Sequence, residues 1–129
     1  MHTGKVLISI VLLCLLILST AFYTIRLLEK DSQKLETIID KIEASTQNGD
    51  WEEVENLLSA LETEWHKAEK AWAVLLDHVE IDNIDTSIMR ASKFIESRNV
   101  PMAISEIAVL KQYIKHIPEK ESFSLKNVF

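Results

Sequence analysis

Residues 51–79 read WEEVENLLSALETEWHKAEKAWAVLLDHV. Apolar side chains fall in it at Trp51, Val54, Leu58, Leu61, Trp65, Ala68, Trp72, Leu75 and Val79, in steps of three and four without a miss. That spacing keeps one face of an α-helix apolar for four heptads. All three tryptophans of the chain lie on the stripe. A helix with so much aromatic surface on one side needs other helices to cover it, at the shallow crossing angle that 3.5-residue periodicity favours. The segment therefore predicts an all-α, coiled-coil-like bundle organised around itself.

The composition agrees with one such domain. The 129 residues include two glycines, two prolines and 47% hydrophobic residues, which leaves few turn formers for a sheet. Cys14 is the single cysteine, so no internal disulfide is possible. The formal net charge is −6 and Lys5 is the only charged residue among the first 25; subtracting its +1 leaves −7 on residues 26–129. An acidic domain repels phosphate backbones, which argues against nucleic-acid binding.

Residues 1–5 form a short head, and Val6 to Ile25 are twenty residues without a charge. At 1.5 Å per residue they reach about 30 Å, the thickness of a bilayer's hydrocarbon core. The stretch predicts a transmembrane helix, with Tyr23 and Arg26 at its interfacial edge. The competing reading is a cleaved signal peptide with Ser19-Thr20-Ala21 at the cleavage site, but the apolar run is longer than such peptides use. Cys14 follows Leu13 rather than a small residue, so it reads as an ordinary apolar position and not a lipidation site. Arg26, Lys30 and Lys34 outnumber Lys5, which by charge count favours a cytoplasmic domain. The short basic head before a long apolar run instead resembles a signal anchor, and the expectation is a single-pass cell-membrane protein with its domain outside the cytoplasm.

From Arg26 the helix is expected to continue, since Leu28, Leu35, Ile38, Ile39 and Ile42 keep helical spacing and no Gly or Pro intervenes before Gly49. Gly49 suits a left-handed helix end, and Asp50 with Glu53 forms a capping box for the next helix. After Val79 the apolar phase jumps to Ile81, Ile84, Ile88, Ala91 and Ile95, which predicts a turn between about Asp77 and Asn83, with Asp82 and Asp85 capping the third helix. Arg98-Asn99-Val100-Pro101 marks another break, with Asn99 as a cap. The last helix uses Ala103, Ile107, Leu110, Ile114 and Ile117 and is expected to stop at Pro118. The expected bundle thus spans 26–117, with helices near 26–47, 51–78, 82–98 and 100–117. A tail at 118–129 would carry Phe123, Leu125, Val128 and Phe129.

Trp65-x6-Trp72-x5-His78-x-Glu80-Ile81-Asp82, the Tyr113-Ile114-x-His116-Ile117 ending and the terminal Ser-Leu-x-Asn-Val-Phe resemble the small single-pass bacterial family called domain of unknown function forty-three sixty-three. The resemblance covers nearly the whole chain. It implies an N-terminal span, a helical extracytoplasmic domain and a neighbouring multi-pass membrane protein, and it supplies no catalytic residues.

The residues themselves offer little chemistry. His78, Glu80, Asp82 and Asp85 gather an imidazole and three carboxylates at a helix junction, the donor types of a divalent cation, although a solvated turn with helix caps explains them equally. His66 and His116 read as surface or edge histidines, and Glu52, Glu53, Glu55, Glu62 and Glu64 lie off the tryptophan stripe as a solvated face. No nucleophile motif or cofactor motif is present, so no catalytic role and no cofactor are expected. In the last helix a second apolar row, Met102, Val109 and Tyr113, runs beside the core row, with Met89 and Phe94 off the main stripe of the preceding helix. Wide-core packing explains such a row, and so does a docking face for a partner, of which Phe94, Met102, Val109 and Tyr113 are the candidates. Two functions follow as expectations: a non-enzymatic accessory module that binds another membrane protein, or a sensor-like domain that holds a ligand or cation at the acidic junction.

Overall fold

A computed structural model describes residues 1–128, apart from the side chains of residues 124–126 and 128. It contains four helices: α1 His2–Gln47, α2 Trp51–Leu75, α3 His78–Glu96 and α4 Val100–Val128. They close a ring in which α1 packs on α2 and α4, and α3 packs on the same two helices. Short connections between antiparallel neighbours make this an up-and-down four-helix bundle. No strand occurs among the described residues.

α1 is one unbroken helix with two different halves. From Val6 to Leu18 its large apolar residues are exposed. From Leu28 onward it buries Leu28, Ser32, Leu35, Ile39, Ile42 and Thr46, in the three-and-four steps of a bundle helix. The absence of Gly and Pro between the halves gives the backbone no reason to break. The helix ends where Gly49 takes φ +71°, and the Asp50 carboxylate accepts a hydrogen bond from the Glu53 N–H at 3.4 Å. The third break also follows its sequence signal: Arg98 is left-handed at φ 55°, and Asn99 Oδ1 accepts from the Met102 N–H at 3.3 Å.

The α2–α3 turn lies upstream of its expected place. α2 stops at Leu75, Leu76 turns extended (φ −122°, ψ 162°), and α3 starts at His78. The reason is packing: the extended residue drops Leu76 into the core, and Val79, expected on the tryptophan stripe, is left exposed. Asp82 and Asp85 are consequently inside α3 and do not cap it; Asp77 occupies the cap position, without a side-chain bond.

The larger correction concerns α4, which does not stop at Pro118 but runs through it to Val128. Proline has no N–H, so the carbonyl four residues earlier, that of Ile114, loses its helical donor. Ser32 of α1 replaces it, donating its hydroxyl to the Ile114 carbonyl at 3.0 Å in a buried setting. With that carbonyl satisfied and Pro118 itself buried, the helix continues. Of the apolar positions expected in a tail, Phe123 is a helical residue, whereas the Leu125 and Val128 side chains and Phe129 lie outside the described residues.

Of the expected stripe on α2, Val54, Leu61, Trp65, Ala68 and Trp72 are buried, Trp51 and Leu58 are half-buried, and Leu75 like Val79 is exposed; Trp72 is fully buried and Trp65 4% exposed. Their rings meet edge to face, 5.5 Å between centroids at 87°, a geometry that adds about 0.5–1.5 kcal/mol beyond burial.

Removing the Ser32 hydroxyl leaves a buried carbonyl unpaired, so Ser32→Ala is expected to destabilise the protein by about 1–3 kcal/mol. In a Pro118→Ala background the restored N–H takes over, and the same substitution should cost much less. Urea unfolding of the full chain in detergent micelles measures the cycle; equal costs in both backgrounds would refute the exchange of donors.

Candidate functional site

Two surfaces were expected to carry function, the acidic junction and the second apolar row of α4. At the junction, early initiation of α3 places His78, Glu80, Asp82 and Asp85 on a single helix, where three of the four, His78, Asp82 and Asp85, are exposed. They do not converge. Asp85 accepts a hydrogen bond from Trp65 Nε1 at 2.7 Å, and Glu80 is held by Lys120 Nζ of α4 at 2.6 Å. Among the described residues no three His, Cys, Asp or Glu side chains are gathered to hold a metal ion. Two of the three carboxylates of the junction are tied across the helix seams: Asp85 joins α3 to α2, and Glu80 joins α3 to α4.

The indoles explain this use. A buried Trp needs a partner for its N–H, and α2 projects Trp65 toward α3 and Trp72 toward α1, where Trp72 Nε1 donates to Asp31 Oδ2 at 3.1 Å. Sequence reading assigned no role to Asp31, because its partner is 41 residues away. Asp85 also faces Glu69 of α2. Burial, followed by the charge of and a hydrogen bond with Asp85, raises the Glu69 carboxyl above the ordinary carboxylate range. Glu121 of α4 is likewise raised, by burial and then by Glu80, while its hydrogen bond to Glu80 pushes Lys120 upward.

On α4, Met102, Val109 and Tyr113 fall at steps of seven and four on one face and are 41%, 42% and 37% exposed. Phe94 of α3 is half-buried against the core, and Met89 of the same helix is exposed. Beside them Arg90 pairs with the buried Glu106 at 2.8 Å, closing the α3–α4 seam. The row therefore lies outside a sealed core. At the neighbouring seam α1 and α4 leave an open groove of about 560 Å³ lined by Glu29, Ser32, Gln33, Glu36, Lys115 and Glu119 among others. Its floor is the Ser32 and Pro118 region already described.

A family model matches residues 22–128, from the last turns of the apolar half of α1 to the end of α4. The chain belongs to the family Domain of unknown function (DUF4363). The DUF4363 match takes in the whole bundle, including the continuation of α4 past Pro118. No curated protein and no solved structure matches the chain.

A carboxyl raised by folding contributes stability below its unfolded value, and that contribution is lost as the pH rises through the folded value. Glu69 is such a group, with 4.5 as its ordinary value, so at neutral pH its charge opposes folding. Glu69→Gln is expected to raise the melting temperature by about 2–4 °C at neutral pH and to have little effect at pH near 4. Thermal melts of the full chain at both pH values test this; the reverse pattern would show the carboxylate to be stabilising.

Proposed function

We propose that the chain is a membrane-anchored, non-enzymatic accessory module, in which residues 6–25 hold the bundle at a bilayer and the bundle docks another membrane protein. The observation that carries the reading is the contrast within α1: its N-terminal half is long and apolar enough to cross a membrane and has no buried residue in its apolar window, and it runs without a break into a sealed bundle. An uncovered apolar helix of this length is stable in lipid and not in water. The bundle then sits directly at the membrane, on the extracytoplasmic side.

The docking face is Met102, Val109 and Tyr113, with Phe94 beside them. These side chains are larger and more apolar than a solvated face requires, and methionine and tyrosine adapt well to a partner surface. Ion pairs such as Lys34–Glu64 and Asp40–Lys111 lie across other seams between helices. The face differs in kind from those seams.

In membranes, the protein should resist carbonate extraction, and protease added to intact protoplasts should remove the bundle; removal only after lysis would place it in the cytoplasm. Cross-linking of the tagged protein in its native membrane should capture a membrane protein, and Val109→Glu with Tyr113→Glu should abolish that product while circular dichroism and melting stay unchanged. Retention of the product by a normally folded variant would exclude this face.

A further inference from the structure

The bundle has two ends, and they differ chemically. The end away from the apolar half of α1 carries the turns at residues 47–50 and 97–99, Gln-Asn-Gly-Asp and Ser-Arg-Asn, exposed and polar. At the other end lie the α2–α3 turn and the last turns of α4. There Val74 is 84% exposed, Val79 68% and Phe123 66%, with Leu75 also exposed. A turn in water has no use for such side chains.

Their level along α1 follows from the packing. Ala71 of α2 and Leu27 of α1 line one groove, and α2 runs four more residues to Leu75. In an antiparallel pair that step returns to the level of Tyr23, the interfacial edge of the apolar stretch. On the other side, Glu121 of α4 lines a cleft with Leu16, Ile17, Thr20, Ala21, Thr24 and Ile25. α4 continues seven residues past Glu121 to Val128, about 10 Å further. The Glu80–Lys120 bridge, at 2.6 Å, ties the α2–α3 turn to this part of α4.

We propose that Val74, Leu75, Val79 and Phe123 form an apolar collar around the emerging span that dips into the lipid interface, so that the bundle is seated on the bilayer and not suspended above it. The proposal deepens the anchored reading given above and rests on it. The occupant is the phospholipid of the membrane that α1 crosses, because the collar is continuous with the uncovered apolar surface of α1 and lies at its edge. A helix end that reaches about 10 Å along the span matches the depth of about 5–10 Å at which amphipathic segments lie in the headgroup–acyl boundary. The contact is apolar and not electrostatic: beside the collar Asp77, Glu80 and Glu121 outnumber Lys120, and these four side chains make no basic cluster for anionic headgroups.

The test uses the full chain with Cys14→Ala, reconstituted in phosphatidylcholine–phosphatidylglycerol vesicles and spin-labelled at a single introduced cysteine. Labels replacing Val79 and Phe123 should collide with oxygen more often than with a water-soluble nickel chelate, and high salt should leave the ratio unchanged. A label replacing Asn99, at the far end, should show the opposite ratio, and one replacing Leu12 should report the bilayer interior. If Leu12 reports lipid while both collar labels are as accessible to nickel as Asn99, the collar is overturned and the anchor stands. If Leu12 itself is accessible to nickel, the anchored reading fails and the collar with it. A Val74 label, on a separate helix, repeats the measurement should either collar variant lose its helical circular dichroism.

Discussion

Trp72 is fully buried, its N–H is held by Asp31 of α1, and its ring stands edge-on to Trp65, whose own N–H is held by Asp85 of α3. Two neighbouring rings on α2 thus fix that helix to both of its neighbours at once. Apolar burial alone is non-directional and would let the helices slide by a turn. A buried indole N–H without its acceptor costs more than the bond contributes, and this penalises every other register. The consequence reaches beyond the core, because the register of α2 against α1 decides where the α2–α3 turn falls along the apolar stretch.

The seam between α1 and α4 is set by a different device. Pro118 removes one helical donor, and a hydroxyl from another helix supplies the missing bond. The helix is thereby continuous only in the tertiary structure, since an isolated peptide would have no Ser32 to complete it. This continuity carries α4 down beside the lower part of α1, where Glu121 lines the cleft against residues 16–25. Arg90–Glu106, Asp40–Lys111 and Glu80–Lys120 lie along the same helix and complete its ties to both neighbours.

Three groups of apolar residues outside the core stand out. On the reading proposed above, residues 6–18 of α1 lie in hydrocarbon, the collar at the α2–α3 turn and α4 lies in the interface, and the Met102, Val109, Tyr113 face meets a protein. Of the three carboxylates at the acidic junction, Asp85 and Glu80 are engaged by Trp65 and Lys120 across helix seams. A member of a family with no assigned activity is thus best understood through the surfaces it leaves uncovered.

The sequence by itself determined the helical class, the uncovered apolar stretch, the tryptophan stripe and the breaks at Gly49 and Asn99. All of these rest on periodicity and on local backbone chemistry, which neighbouring residues decide among themselves. It also indicated a break between the second and third helices, but not its place, because whether Leu76 or Val79 enters the core depends on what lies opposite. Tertiary structure alone decided that Pro118 would not end α4, that Asp31 and Asp85 would serve the indoles, and that His78, Glu80, Asp82 and Asp85 would not meet. Each of those outcomes depends on a group 20 to 82 residues away, or on the helical phase that such contacts impose, and no local pattern encodes it.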